Sequence, residues 1–191
     1  MSKVLYLKDS NTKTFNIDED TIIYHFSIDT SSKITINLNK ENVSVYYYYN
    51  NINYNDNSFE IRVNHNTSNT KSYVYNHGVN AKNKSLKYWV EGIVPKKSSK
   101  CTCNQDNQII NLENANSKIW PNLLIDNYDV EANHSAYVGK FSEEKLFYMM
   151  SRGISRKDSY KLLLRGFLLN TDSIDYEKIE DFSSEIDKLW G

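Results

Sequence analysis

Two cysteines and one histidine are the side chains in this sequence best suited to chemistry. Cys101 and Cys103 are two residues apart. On an extended strand that spacing puts both thiols on one face, and thiolates are soft ligands for iron or zinc. A closed structural site needs further ligands, which a lone Cys-x-Cys does not supply. The alternative is a pair of small, apolar core thiols. His134 stands between Asn133 and Ser135. Its imidazole suits iron; the competing reading is a strand-end histidine satisfied by backbone hydrogen bonds. Catalytic machinery is not evident. The chain has no Gly-rich phosphate loop, no His-Glu-x-x-His and no nucleophile elbow. The acid groups Glu143-Glu144 and Asp18-Glu19-Asp20 fit helix caps and turns. These features point away from an enzyme.

Elements able to position such groups are strands first and helices last. Thr21–Ile28 is rich in β-branched and aromatic residues, and Ile34, Ile36 and Leu38 alternate with polar neighbours. Val43, Val45, Tyr47 and Tyr49 repeat the pattern, as do Phe59, Ile61 and Val63, then Leu86, Tyr88 and Val90, then Leu123 and Ile125. In the run Tyr46–Tyr49, alternation puts half the rings inward and half outward. The connections are polar and rich in Asn, Ser and Lys, without tight Asn-Gly hairpin signals. Asparagine suits the corners of a coiled stack because it tolerates left-handed backbone. Pattern alone leaves a β-sandwich and a β-solenoid equally open.

After Gly139 the periodicity changes. Ser142 can cap a helix opening with Glu143 and Glu144, and Gly153 can end it. Ser155 with Asp158 resembles a capping box. Tyr160, Leu163, Leu164, Phe167 and Leu168 then share one helical face. A third helix is expected from about Ile174 to Trp190, burying Ile179, Phe182, Ile186 and Leu189. By the same periodicity, Phe147, Met150, Leu163 and Phe167 read as core. The division is therefore strands over residues 1–140 and helices over 141–191.

The chain has 191 residues, room for one good core with a small appended unit. Its net charge of -1 gives no electrostatic case for nucleic acid or an acidic membrane as partner. Lys96, Lys97 and Lys100 read as a solvated turn. Val4–Leu7 is too short an apolar run for a secretory leader, and nothing approaches a membrane span. Reduced thiols in a cytoplasmic protein fit best. Fifteen tyrosines allow a sugar-stacking surface, so a carbohydrate-binding or carbohydrate-active β-helix stays open as an alternative function.

The stretch from Gln105 to Phe167 resembles the C-terminal core of the SufB/SufD family of iron–sulfur cluster assembly scaffolds. The matching residues are Ile109-Ile110-Asn111-Leu112, Ala115 and Pro121-Asn122-Leu123-Leu124-Ile125. They continue through Asp129-Val130-Glu131-Ala132-Asn133-His134-Ser135-Ala136-Tyr137-Val138-Gly139. Leu146-Phe147-Tyr148-Met149-Met150-Ser151-Arg152-Gly153-Ile154 and Leu162-Leu163-Leu164-Arg165-Gly166-Phe167 complete the series. The resemblance implies a right-handed parallel β-helix followed by a small C-terminal α-helical domain. It implies a scaffold subunit pairing with a second SufB/SufD-type subunit, or with itself. An ABC-type ATPase (SufC-like) would dock on the helical end, with Tyr148, Arg152, Leu163, Arg165 and Phe167 as its contacts. No cofactor would be bound stably; a transient iron–sulfur cluster would form at a subunit interface, with His134 as a ligand and Cys101 and Cys103 as weaker metal candidates. For Arg152 and Arg165, helix C-terminal capping is the alternative role.

The departures favour the SufD branch. Ala132 replaces the family's cysteine, Ser135 the following glycine or glutamate, and Tyr137 the threonine. The chain has less than half the usual family length, so an N-terminal helical region and several coils are expected to lack counterparts. A degenerate family remnant with only a structural role is a further alternative.

Overall fold

The computed structural model describes residues 2–169 and 174–189 of the chain. They form β1 (Lys3–Lys8), β2 (Thr12–Ile17), β3 (Thr21–Ile28), β4 (Ser32–Leu38), β5 (Ser44–Asn53) and β6 (Asn57–His65). There follow β7 (Lys71–Asn80), β8 (Ser85–Val94), β9 (Cys101–Asn111), β10 (Asn116–Ile125) and β11 (Val130–Gly139). The helices are α1 (Glu143–Ser151), α2 (Arg156–Leu168) and α3 (Glu180–Lys188), the last preceded by a 3-10 turn at Tyr176–Ile179.

Successive strands fall in alternate sheets. The odd-numbered strands make a six-stranded sheet in the order β1-β3-β5-β7-β9-β11, and the even-numbered ones a five-stranded sheet in the order β10-β8-β6-β4-β2. Every pairing is parallel. This is a parallel β-helix: each coil contributes one strand to each sheet. Antiparallel sandwich pairing, which the pattern left open, does not occur among the described residues.

The alternation explains the core. Ile34, Ile36, Val45, Tyr47, Tyr49, Phe59, Ile61, Tyr88 and Val90 point between the sheets and are buried together. Phe59 stacks on Tyr49 with ring centroids 3.7 Å apart and meets Tyr88 edge-on at 5.5 Å. Left-handed residues turn the corners. Asn42, Asn69 and Lys100 have positive φ, and their amides step from coil to coil: Asn42 N–H to Asn69 O, Asn69 N–H to Ser99 O, Lys100 N–H to Asp129 O. Asn and Asp visit this region at little cost. Asparagine side chains also form ladders, as in Asn64 to Asn37 (2.8 Å) and Asn37 to Asn16 (3.0 Å).

The outward tyrosines have a second use. Tyr6, Tyr24, Tyr48 and Tyr75 form a ladder across β1, β3, β5 and β7 with ring centroids 5.0–5.3 Å apart, the first pair tilted and the others stacked, close to the spacing of neighbouring strands. The helical tail lies on this outer face. Leu164, Leu168, Ile179, Phe182 and Ile186 form one buried cluster with Tyr24, Phe26, Ile52 and Val79. Hydroxyls anchor its polar edge: Tyr54 Oη donates to Glu185 (2.7 Å) and the Asp175 amide donates to Tyr6 Oη (2.9 Å). Lys178 sits over the Tyr6 ring, and Lys8 pairs with Asp181.

Both expected caps form: Ser142 accepts from Glu144 N–H, and Ser155 from Asp158 N–H. Gly153 follows α1 at φ +84. Two expectations need correcting. The third helix starts as a tight turn and becomes α-helical only at Glu180; Trp190 lies outside the described residues. Phe147 and Met150 are not core: they are 74% and 41% exposed, and Leu146 is the buried residue of α1. Periodicity identified an apolar stripe, but α1 turns only its Leu146 edge inward.

Candidate functional site

The coil stack stops at β10 and β11, the outermost strands at one end of the two sheets. Pro121 lies in β10, an edge position where a missing backbone N–H is tolerated. In β11 the side chains alternate, and register tells which way they face. Ala132 is in register with Cys103, which follows Ser72. His134 is in register with Gln105, which follows Val74. Val74, Cys103 and Gln105 are buried inside the coil, and Val130 and Ala132 pack against Cys101 and Cys103. His134 therefore continues an inward row. It is nevertheless exposed, because the described even-numbered strands end with β10 and offer no strand opposite it. The result is an imidazole at the open mouth of the solenoid, accessible to a ligand or a second protein.

The two thiols share one inward face, as their spacing predicts, but both are buried. Burial pushes the Cys103 thiol up to about 11, so it stays protonated near neutrality. Gly92 leaves room for it: a side chain there would collide with Cys103 Sγ. A polar network that the sequence did not reveal links the thiols to an interior histidine. The Thr70 hydroxyl donates to Thr67 O (3.1 Å) and approaches Cys101 Sγ (3.4 Å). His65 Nδ1 therefore donates to Thr70 Oγ1 (2.8 Å), and Nε2 accepts from Ser72 Oγ (2.9 Å). Burial lowers His65 to about 4, so the ring is neutral. No group of three or more His, Cys, Asp or Glu side chains able to hold a metal occurs among the described residues. His134 is not brought together with the thiols into such a group.

The candidate docking residues divide in two. Tyr148 is exposed beside Phe147 on α1, and Arg152 lies over its ring at 4.9 Å. Leu163 joins Tyr148, Met149 and Lys145 along a shallow apolar groove. Arg165 and Phe167 are half-buried and engaged within the protein instead. Arg165 donates to Asp187 of α3 at 2.6 and 3.1 Å, and Phe167 stacks on His77 of β7. These two residues hold the tail together and to the sheet.

Sequence reasoning also missed a group on the outer face. The Asp106 carboxyl is held at about 2, chiefly by the His77 imidazole 3.6 Å away, with Ser135 and Gln108 donating to it as well. Coil-to-coil register was the only signal that could have found it: Asp106 pairs with Ser135 on β11.

No helix among the described residues is long and apolar enough to cross a membrane. Residues 8–167 match the family model described as SUF system FeS cluster assembly, SufBD core domain. The iron–sulfur cluster assembly protein SufD of Bacillus subtilis is 40% identical over 72 residues, 37% of this chain and 16% of that protein. A SufBD family protein of Synechocystis is 30% identical over 114 residues, 58% of this chain and 23% of that protein. SufB of Bacillus subtilis is 48% identical over 46 residues, 24% of this chain and 10% of that protein. The chain thus matches less than a quarter of the length of each of these relatives.

Proposed function

The chain belongs to the SufBD core family of the SUF iron–sulfur cluster assembly system, and from that premise we propose that it is a scaffold subunit rather than an enzyme. In this reading the open end of the coil stack pairs with a second SufBD-type subunit, which is either another chain or a second copy. Strands β10 and β11 supply the edges; exposed strand edges readily accept a partner. A transient cluster forms in the junction, with His134 as the ligand from this side and the buried thiols as reserve. The helical tail receives an ABC-type ATPase through α1, where Phe147, Tyr148 and Met150 are exposed. Tyr148, Arg152 and Leu163 remain in the proposed contact set, whereas Arg165 and Phe167 support it from behind.

One observation supports this reading above the others. An inward-facing histidine is exposed only where the stack ends, on the strand that also leads into the helical tail. A carbohydrate-binding role needs aromatic and acidic groups free on one face. On the outer face of the even-numbered sheet, Trp89 stacks on Trp120 at 4.7 Å, and Glu91 and Glu60 pair with Arg62 and Lys33. Those groups are engaged with each other.

Co-expression with an ABC-type ATPase, followed by size-exclusion chromatography, tests the docking. The wild-type chain is expected to co-elute with the ATPase, and Phe147→Asp with Tyr148→Asp to elute apart from it while staying folded. Separate elution of the wild-type chain at micromolar concentration would sink the proposal. Removing the whole tail is a poorer test, since it would bare Tyr24, Phe26, Ile52 and Val79.

A further inference from the structure

On the outer face of the odd-numbered sheet, one carboxylate touches three strands and, through a histidine, a helix. Asp106 lies on β9. Its Oδ1 accepts from Ser135 Oγ of β11 at 2.5 Å. Its Oδ2 accepts from Gln108 Nε2 at 2.9 Å and faces His77 Nε2 of β7 at 3.6 Å. The other nitrogen, His77 Nδ1, is 3.0 Å from the Phe167 carbonyl in the last turn of α2. A carbonyl only accepts, so Nδ1 carries a hydrogen. The His77 ring thus lies between two acceptors, one hydrogen-bonded to Nδ1 and one facing Nε2. The His77 and Phe167 rings also stack, 4.7 Å apart and 19° from parallel.

A second path closes the circuit. Phe141, in the short connection from β11 to α1, packs edge-on against Phe167 at 6.1 Å. The end of α2 is therefore held from two sides: by the His77–Asp106–Ser135 chain across the sheet, and by the segment leaving β11.

We propose that Asp106 couples the helical tail to the last strand, so that docking of the end of α2 and seating of β11 are one linked equilibrium. Ser135 is the neighbour of His134 and points to the opposite face. A shift at Ser135 moves the backbone that carries the exposed imidazole. When the end of α2 lifts, His77 loses its carbonyl acceptor and its stacking partner, Asp106 loses a neighbour held in place, and Ser135 loses a fixed acceptor. The state of the tail then sets how firmly the mouth of the solenoid holds His134. The contacts lie within one chain, so the coupling goes beyond the scaffold reading and does not depend on which partner the chain meets.

Amide hydrogen exchange on the full chain tests this, with the middle coils β3–β8 as internal control. His77→Phe keeps a ring against Phe167 but removes both polar contacts; Ser135→Ala removes only the hydroxyl. Coupling predicts that Ser135→Ala speeds exchange at the end of α2, and His77→Phe speeds it in β11, each by about three- to tenfold, the range of directly coupled neighbours. The double variant should be no worse than the worse single. If each variant loosens only its own element and the effects add, the coupling is refuted. If His77→Phe does not fold, Ser135→Ala decides alone: faster exchange in α2 supports the proposal, and unchanged exchange there overturns it.

Discussion

The same inward row behaves differently in the middle of the stack and at its end. In the middle coils, inward side chains are closed over by a strand of the opposite sheet. Phe59, Tyr47, Tyr49 and Tyr88 are almost wholly buried, and His25 and His65 are held neutral inside. At β11 the inward row continues through Val130, Ala132 and His134, and from His134 onward it is exposed. Residue type and backbone are alike in the two regions; what differs is the next strand. A solenoid therefore makes its core and its accessible site from one pattern, and the site lies where the pattern stops.

That contrast can be broken or sharpened by substitution and by acid. The largest effect is expected in the middle. Phe59→Ala removes a ring that stacks on Tyr49 and meets Tyr88 edge-on and should cost about 3–5 kcal/mol in urea unfolding. A small loss would mean that the interior is loosely packed and the contrast overstated. Acid comes next. His25 and His65 are lowered by burial to about 4, below the ordinary value near 6.5. The unfolded chain then takes up more protons between those values, so their stabilisation is complete above about pH 6.5 and is lost as pH falls toward 4. By pH 5 each should have cost roughly 2 kcal/mol. Urea midpoints at pH 7 and pH 5 check this, and a His25→Gln, His65→Gln chain should lose less stability over the same interval. The smallest effect belongs to the open end. His134→Ala should change stability by no more than about 0.5 kcal/mol, and a loss comparable with that of Phe59→Ala would show that His134 is core.

Much of this was legible in the sequence because it is local. Alternation at Ile34, Ile36 and Leu38, the half-in, half-out tyrosine run, the asparagine corners and the caps at Ser142 and Ser155 all depend on nearby residues. The shared face of Cys101 and Cys103 follows from their spacing in the same way. Pairing does not. Parallel and antiparallel stacks have the same alternation, and partners lie a whole coil apart, as in Asp106 with Ser135. Resemblance to a family resolved that choice where periodicity left it open. Covered and bare helical faces look alike too, which is why Phe147 and Met150 read as core. Two apolar stripes compete on a short helix, and only the packing partner decides between them. The tyrosine ladder under the tail was hidden for the same reason: its outward members look like surface residues until the tail covers them.

The central claim is that the open end, and not either outer face, receives a second subunit. Hydrogen exchange of the full chain, alone and with a SufBD-type partner under co-eluting conditions, tests it most directly. The account predicts slowed exchange in β10 and β11 with β3–β8 unchanged. Protection confined to the outer face of the even-numbered sheet, or none at β10 and β11 while the two proteins co-elute, would contradict it.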